Sequence, residues 1–103
     1  MVNERYYNID GTERPLEDIR QQLKWEVNNY CGYLLQSSDW YVIRSIEDSS
    51  KPVPTEIETY RAAMRQEADQ KTVAIEACVT LQDFINYDNT EPMSNWPDRP
   101  ANA

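Results

Sequence analysis

The sequence predicts a mainly α-helical fold: a helical hairpin or a small three-helix domain, with an extended connector and an irregular, proline-containing C-terminal tail. Apolar residues recur every three or four positions over much of residues 15–87, the spacing that lines one face of a helix. After residue 87, prolines and small polar residues dominate, and they cannot propagate regular structure. We therefore expect one domain, divided into an N-terminal arm at 1–14, a helical domain at 15–87 and an irregular tail at 88–103.

Helix one is predicted to run from Pro15 to about Gln36. Its predicted buried face consists of Leu16, Ile19, Leu23, Val27, Tyr30 or Cys31, and Leu34. Pro15 suits a first helical turn, where its missing N–H would have no helical partner. The run Ser37-Ser38-Asp39 is expected to end the helix, because these side chains compete for backbone hydrogen bonds. Before it, residues 5–10 are predicted to form a short extended segment ended by a turn at Asp10-Gly11, since glycine tolerates a positive φ.

Residues 40–54 are predicted to connect helix one to helix two. Residues 40–46 are rich in β-branched and aromatic side chains, which favours an extended connector packed over the helices. Residues 47–54 are polar, contain two prolines and predict a loop. Thr55 and Glu58 have the spacing of a capping box, so helix two is expected to begin there. Its predicted buried face consists of Ile57, Tyr60, Met64 and Ala68.

A break or kink is predicted near Asp69 to Lys71, where the apolar stripe weakens. The residues beyond it permit either a third helix or a bent continuation of the second. Their stripe runs through Ala74, Ala77 or Cys78, Leu81, and Phe84 or Ile85. Cys31 and Cys78 lie far apart and form no CxxC pair, which favours two reduced, partly buried thiols over a metal site or a disulfide.

Composition excludes several classes of site. The chain contains no histidine, so a Ser-His-Asp or Cys-His relay cannot form within it. Gly11 and Gly32 are the only glycines, too few for a phosphate-binding loop. The net charge of -8 repels nucleic acids and anionic membranes, and no apolar stretch approaches the length of a membrane span. We expect neither enzymatic activity nor a cofactor or metal, and no catalytic residue is assigned.

Two parts of the chain resemble a known family. One is the combination of Ser38-Asp39-Trp40 with Tyr60-Arg61-x-x-Met64-Arg65, and the other is Trp96-Pro97-Asp98-Arg99-Pro100. They are similar to the tail assembly chaperone domain of tailed phages, in which Ser-Asp-Trp, a proline-bearing loop and Tyr-Arg-x-x-Leu-Arg follow a helix ending in Leu-Leu. The resemblance covers roughly residues 27–66 and 95–100. In three respects the chain departs from that pattern: Ile57 replaces a tryptophan, the Arg-x-x-Arg-Asn signature is reduced to residues 26–29, and residues 67–90 insert a helical stretch.

The resemblance implies a protein that binds phage tail, tail-fibre or baseplate proteins in the host cytoplasm during assembly, with no nucleic-acid or membrane partner. A stable structural protein of the virion tail, baseplate or fibre attachment region is the alternative, and a host-directed nucleic-acid mimic ranks last. The oligomeric state stays open. The candidate partner-binding residues are Trp96, Pro97, Pro100, Arg61, Arg65 and Trp40.

Several of these candidates could instead have a structural role within the chain. Trp40 is expected to fill the domain's own core more often than to anchor a partner. Arg61 is at least as readily explained by an internal ion pair in this acidic chain. Trp96 has no helix of its own to pack on, so docking onto the domain and docking onto another protein are equally supported.

Overall fold

A computed structural model describes residues 3–101, and this part of the chain forms three α-helices and one short 3-10 turn. Helix α1 spans Leu16–Glu47, α2 spans Thr55–Glu76, α3 spans Leu81–Asn89, and the 3-10 turn spans Pro92–Ser94. The prediction of a mainly helical domain followed by an irregular segment is confirmed. No helix within residues 3–101 combines the length and the apolar character that crossing a membrane requires.

Helices α1 and α2 form an antiparallel hairpin. The first turns of α1 meet the end of α2, where Arg20 donates to the carbonyl of Ile75 at 2.8 Å. Further along α1, the carbonyl of Leu35 accepts from Arg61, near the start of α2, at 3.2 Å. The molecule is elongated, with principal extents of 59 × 21 × 20 Å.

The predicted apolar faces of the first two helices are confirmed. The α1 stripe and the α2 stripe meet in one buried cluster, to which α3 contributes Phe84. Both cysteines are free and buried in this cluster, as expected, and burial raises the pKa of each thiol. The core residues of this cluster are Ile19, Leu23, Val27, Cys31, Tyr60, Met64, Ala68, Ile75, Cys78 and Phe84.

The predicted end of helix one at Ser37-Ser38-Asp39 is wrong, and so is the extended connector over residues 40–46. Helix α1 continues through both segments to Glu47. The hydroxyl of Ser38 donates to the carbonyl of Leu35 at 3.0 Å and accepts from the guanidinium of Arg61 at 2.7 Å. The polar side chains expected to disrupt the helix are thus engaged by a residue of α2, and the backbone keeps its helical hydrogen bonds.

Two predictions about helix two are also wrong. Thr55 is the first residue of α2 rather than its N-cap, because Pro54 occupies the cap position with extended backbone and no side-chain cap forms. The break near Asp69 to Lys71 is absent, since α2 runs on to Glu76. Lys71 is buried at the position where the apolar stripe weakens. The chain breaks instead at residues 77–80, after which a capping box between Thr80 and Asp83 starts α3.

The N-terminal arm folds back onto the helices. Gly11 has a φ of 88°, which confirms the turn at Asp10-Gly11, and Tyr7 and Glu13 form an isolated antiparallel bridge. Arg5 fixes the arm by a two-point ion pair with Glu26 of α1, at 2.7 and 2.8 Å. The same guanidinium contacts Asp88 of α3 at 2.7 and 3.0 Å. One arginine therefore joins the arm to two helices.

Candidate protein-interaction surfaces

Arg61 is a buried structural residue. Its Nη1 atom donates to Ser38 at 2.7 Å, to the Asp39 carboxylate at 2.9 Å and to the carbonyl of Leu35 at 3.2 Å. Only 9% of the residue is exposed. This placement favours the internal ion pair over the partner contact that the sequence also suggested. Arg65, one turn later, is exposed and remains a candidate for partner binding.

The C-terminal segment docks onto the helices through Trp96. Its ring meets the ring of Tyr30 edge to face at 5.9 Å, and the Lys71 ammonium lies 4.8 Å from the indole centroid. Lys71 also donates to the carbonyl of Asn95 at 2.7 Å and to Glu67 at 2.6 Å. A cation held between a carboxylate, a carbonyl and an aromatic face is well compensated for its burial. Trp96 is therefore docked onto its own domain.

Beyond Trp96, the chain continues over the hairpin. Arg99 donates to the hydroxyl of Ser37 on α1 at 3.3 Å. Pro97 and Pro100 line a cleft of about 380 Å³ together with Tyr60 and Ala63 of α2. A second cleft of about 790 Å³ lies between this segment and α1. The segment covers the hairpin without filling the space beneath it.

We expect Trp96→Ala to lower the free energy of unfolding by about 2 kcal/mol, because it removes one aromatic contact and one cation–π contact. Urea denaturation measures this loss. Trp25→Ala is the matched control, since Trp25 is 63% exposed and should change stability by less than about 0.5 kcal/mol. Equal values for the two variants would show that Trp96 does not hold the segment in place.

The core role expected for Trp40 is wrong. The side chain is 49% exposed on the outer side of α1. It stacks on Tyr41 with ring centroids 3.8 Å apart, and the Arg44 guanidinium lies 4.9 Å from its ring. The neighbouring Tyr41, only 7% exposed, takes the buried position instead. Trp40 is therefore available to a partner.

Trp40 belongs to a larger surface, which we name the α1 face. It consists of the nine exposed residues of α1 between Trp25 and Ile46, and none of them carries a charge. The strip is about 30 Å long, and the charges that border it are the Asp39 carboxylate, whose side chain is 50% exposed, and the Arg44 guanidinium against the Trp40 ring. Three aromatic and two aliphatic side chains lie on it. The α1 face consists of Trp25, Asn28, Asn29, Gly32, Tyr33, Gln36, Trp40, Ile43 and Ile46.

Sequence reasoning missed the α1 face because the second half of α1 was predicted to be extended. Its apolar members include Trp25, Tyr33 and Ile43, which are 63%, 64% and 55% exposed. They lie opposite the buried stripe, and an amphipathic pattern identifies only the one apolar face that packs against the core. The signal that identifies them is the small number of charged residues on the helix face that normally carries most of them.

A third cleft, of about 380 Å³, lies beside the Arg5 cluster and is bordered by Tyr6, Leu23, Tyr87 and Met93. The hydroxyl of Tyr6 donates to Asp88. The hydroxyl of Tyr87 is buried and has no hydrogen-bond partner among residues 3–101. Burial is the main cause that raises the pKa of both phenols to about 12. Since the fold favours the neutral phenols, their contribution to stability is complete below about pH 10 and is lost as the pH rises towards 12.

Tyr87→Phe is expected to leave stability unchanged or to raise it by about 1 kcal/mol at neutral pH, because it removes a buried hydroxyl without a partner. It should also reduce the loss of stability between about pH 10 and pH 12. Tyr6→Phe is the control: it removes the hydrogen bond to Asp88 and should destabilise by about 1 kcal/mol. Urea titrations at neutral pH and at about pH 12 measure the free energy of unfolding of each variant. Destabilisation by Tyr87→Phe at neutral pH would reveal a partner for its hydroxyl.

Comparison with family models, curated proteins and solved structures finds no match for this chain. The described residues also contain no group of acidic and cysteine side chains that could hold a metal ion.

The separate parts of the motif pattern are in contact with one another in the fold. Ser38 and Asp39 hold Arg61. Tyr60, next to Arg61, lines both clefts that the C-terminal segment covers.

Proposed function

We propose that this chain is a protein-binding factor of phage tail assembly, similar to tail assembly chaperones, and that it contacts its partner through the α1 face. The observation that carries the binding role is the exposed and aromatic character of that face, whose nine exposed residues carry no charge themselves, in a chain of net charge -8. The centres of protein interfaces are depleted of charge and enriched in aromatic residues. The phage context comes from the resemblance of the motifs that contain Trp40, Arg61 and Trp96.

The chemistry of the α1 face fits transient binding of a partly assembled tail, tail-fibre or baseplate protein. Such a component exposes apolar surface that is later buried in the particle. Trp25, Tyr33 and Trp40 bury large areas at a small loss of rotamer entropy. Asn29 and Gln36 between them provide amide donors and acceptors that adapt to different partners.

A stable virion subunit of the tail, baseplate or fibre attachment region is the second candidate. The docked C-terminal segment favours it, because Trp96, Pro97 and Pro100 pack against the hairpin rather than extending into solvent. A rigid surface of this kind suits a permanent position in a particle. The two candidates differ in whether the chain remains in the finished virion.

Quantitative mass spectrometry of purified particles and infected-cell lysate separates the two candidates. A chaperone is expected to be abundant in the lysate and absent from particles, whereas a virion subunit is retained at a fixed copy number per tail.

Complementation tests the α1 face. A phage from which this gene has been deleted is supplied with the Trp40→Asp variant, and its tails are examined. We expect fewer complete tails, because a charge on the face opposes burial.

Val73→Asp is the matched control for that complementation. Val73 is 67% exposed on α2, outside the α1 face, so an aspartate there should leave tail assembly unchanged. Normal tails with both variants would reject the α1 face as the contact surface. Normal tails in the absence of the gene would reject a role in tail assembly altogether.

A further inference from the structure

The C-terminal segment at residues 92–101, which we name the strap, fits the hairpin imperfectly. Clefts of about 790 and 380 Å³ remain between the strap and the two long helices. The indole N–H of Trp96 is buried and has no acceptor among residues 3–101. A buried donor without a partner loses the hydrogen bond that water would give it. The closed strap therefore carries a cost in free energy that release into solvent removes.

The hinge of the strap carries a second cost. Glu91, between the end of α3 and Pro92, has a φ of 53° and a ψ of 56°, which is left-handed backbone. Within residues 3–101 it is the only residue other than glycine with a positive φ. Such backbone is unfavourable for a residue that has a Cβ atom. Glu91 can return to ordinary backbone once the strap is released, so this strain opposes closure.

The contacts that hold the strap closed are few. Its two side chains packed against the core are Met93 and Trp96, and Lys71 lies against the Trp96 ring. Beyond Trp96, the hydrogen bond from Arg99 to Ser37 is long, at 3.3 Å. A segment with few buried apolar contacts opens at a lower free energy than the core of the same protein. The strap is therefore expected to open while the helices stay folded.

The groove beneath the strap is continuous with the α1 face. Tyr33 and Gln36 belong to the α1 face and also line the larger cleft. Tyr30 and Leu34 of the same helix line that cleft too, together with Tyr60 of α2. We name the surface formed by Tyr30, Leu34 and Tyr60 the groove. When the strap opens, the uncharged aromatic surface extends from the α1 face into the groove.

We propose that the strap regulates partner binding: it opens about Glu91, and the groove then takes an extended segment of the partner that carries an aromatic residue and a proline. The chemistry of this occupant is that of the strap, whose Trp96 and Pro97 already lie against the groove. Aromatic-lined grooves recognise such segments because proline keeps them extended at a low cost in entropy. The proposal rests on the proposed function, since it assigns a regulation to the α1 face.

A peptide with the sequence of residues 92–101 tests the groove in the full chain. The labelled peptide competes with the strap, whose tether gives it a roughly millimolar effective concentration. Fluorescence anisotropy should show weak binding to the wild-type chain and about tenfold tighter binding to Trp96→Ala, because more of its groove is open. Val73→Ala, at an exposed position of α2, is the control with wild-type affinity. A peptide with alanine in place of its tryptophan should not bind.

Thiol labelling of the full chain measures the opening itself. Ala63 lines the smaller cleft beneath the strap, whereas Ala62 is exposed outside it. A bulky maleimide should label Ala63→Cys more slowly than Ala62→Cys, because the strap covers position 63. It should label Ala63→Cys faster than the buried Cys31 and Cys78, which react only when the core unfolds.

Glu91→Gly tests the hinge in the same assay. Glycine adopts a positive φ without strain, so the closed strap should become more stable and Ala63→Cys should be labelled about threefold more slowly. Glu91→Ala is the matched control, because it removes the same charge and keeps the Cβ atom. Its labelling rate should stay at the wild-type value.

Three results would overturn the proposal: equal labelling of Ala63→Cys and Ala62→Cys, labelling of Ala63→Cys no faster than that of Cys78, or no difference in peptide binding between the wild-type chain and Trp96→Ala. A wild-type dimer that Trp96→Ala dissociates would make the strap of a second copy the occupant and overturn the assignment to a partner segment.

These results are distinguishable from failure of the proposed function. A strap that fails the tests, in a chain whose Trp40→Asp variant still blocks tail assembly, would remove the regulation and keep the α1 face. A strap that passes them, in a chain whose Trp40→Asp variant assembles normal tails, would keep the groove and reject the α1 face as the contact surface.

Discussion

Phe84→Ala is expected to lower the free energy of unfolding by about 3–5 kcal/mol, the range for a fully buried aromatic residue. Phe84 is completely buried and is the only buried residue of α3. A nine-residue helix is too short to be stable without packing, so α3 depends on this side chain. Small domains have a total stability of roughly 5–15 kcal/mol, so the variant should lose a large part of it.

The effect should extend beyond α3 through Arg20. Its guanidinium lies 5.2 Å from the Phe84 ring centroid and donates to the carbonyls of Ile75 and Cys78, at 2.8 and 2.9 Å. These carbonyls lie at the end of α2, where Arg20 satisfies acceptors that the helix leaves open. Without the ring, Arg20 loses one of the surfaces that position it, so the end of α2 should fray together with α3.

Urea denaturation measures the loss, and amide hydrogen exchange locates it. Ile85→Ala is the control: Ile85 neighbours Phe84 on the same helix but is only half-buried, so its loss should be clearly smaller. A Phe84→Ala loss below about 1 kcal/mol would contradict the assignment of Phe84 to the core. Faster exchange confined to α3 would contradict the coupling through Arg20.

The parts of the fold that could be predicted from the sequence are those determined by local pattern. The stripe through Ile19, Leu23 and Val27 repeats every four residues, and such spacing has one structural interpretation. The turn at Gly11 likewise depends on a property of that residue alone. Phe84 was one of two alternatives for its position, and the structure selects it.

Two of the wrong predictions, the end of α1 at Asp39 and the break in α2 at Lys71, share one physical cause: a polar residue whose partner is distant in sequence. Asp39 was expected to end α1, but Arg61 of α2 neutralises it. Lys71 was expected to lie at a break in α2, but Asn95 and Trp96 enclose its ammonium group. Local propensity treats such residues as helix breakers, whereas tertiary partners turn them into packing residues. The exposed position of Trp40 follows from the first of these errors.

Arg61→Ala is expected to destabilise the protein by about 2–4 kcal/mol, because it removes three hydrogen bonds and an ion pair whose arginine is buried. The loss should stay below that of a fully buried pair, since the Asp39 side chain is 50% exposed and water can solvate the carboxylate. Arg65→Ala is the matched control one turn along α2. Arg65 is exposed, so its removal should change stability by less than about 0.5 kcal/mol.

The part of the chain that loses helicity in Arg61→Ala shows whether Arg61 keeps α1 helical beyond Ser37 or only adds to the packing. Without Arg61, Ser37, Ser38 and Asp39 regain the tendency to end the helix. Circular dichroism should therefore show lost helicity, and hydrogen exchange should accelerate in residues 37–47 while residues 16–30 stay protected. Asp39→Asn, which keeps an oxygen acceptor but loses the charge, should produce a smaller loss. Uniform destabilisation without local fraying would contradict this explanation for the length of α1.

Arg61 also acts on the α1 face without being part of it. Trp40, Ile43 and Ile46 share a surface with Trp25 and Tyr33 only because α1 continues past Asp39. Arg61→Ala should therefore weaken association through the α1 face, even though the residue is buried and contacts no partner. Normal tail assembly with Arg61→Ala, despite lost helicity beyond Asp39, would show that the first half of the α1 face is sufficient.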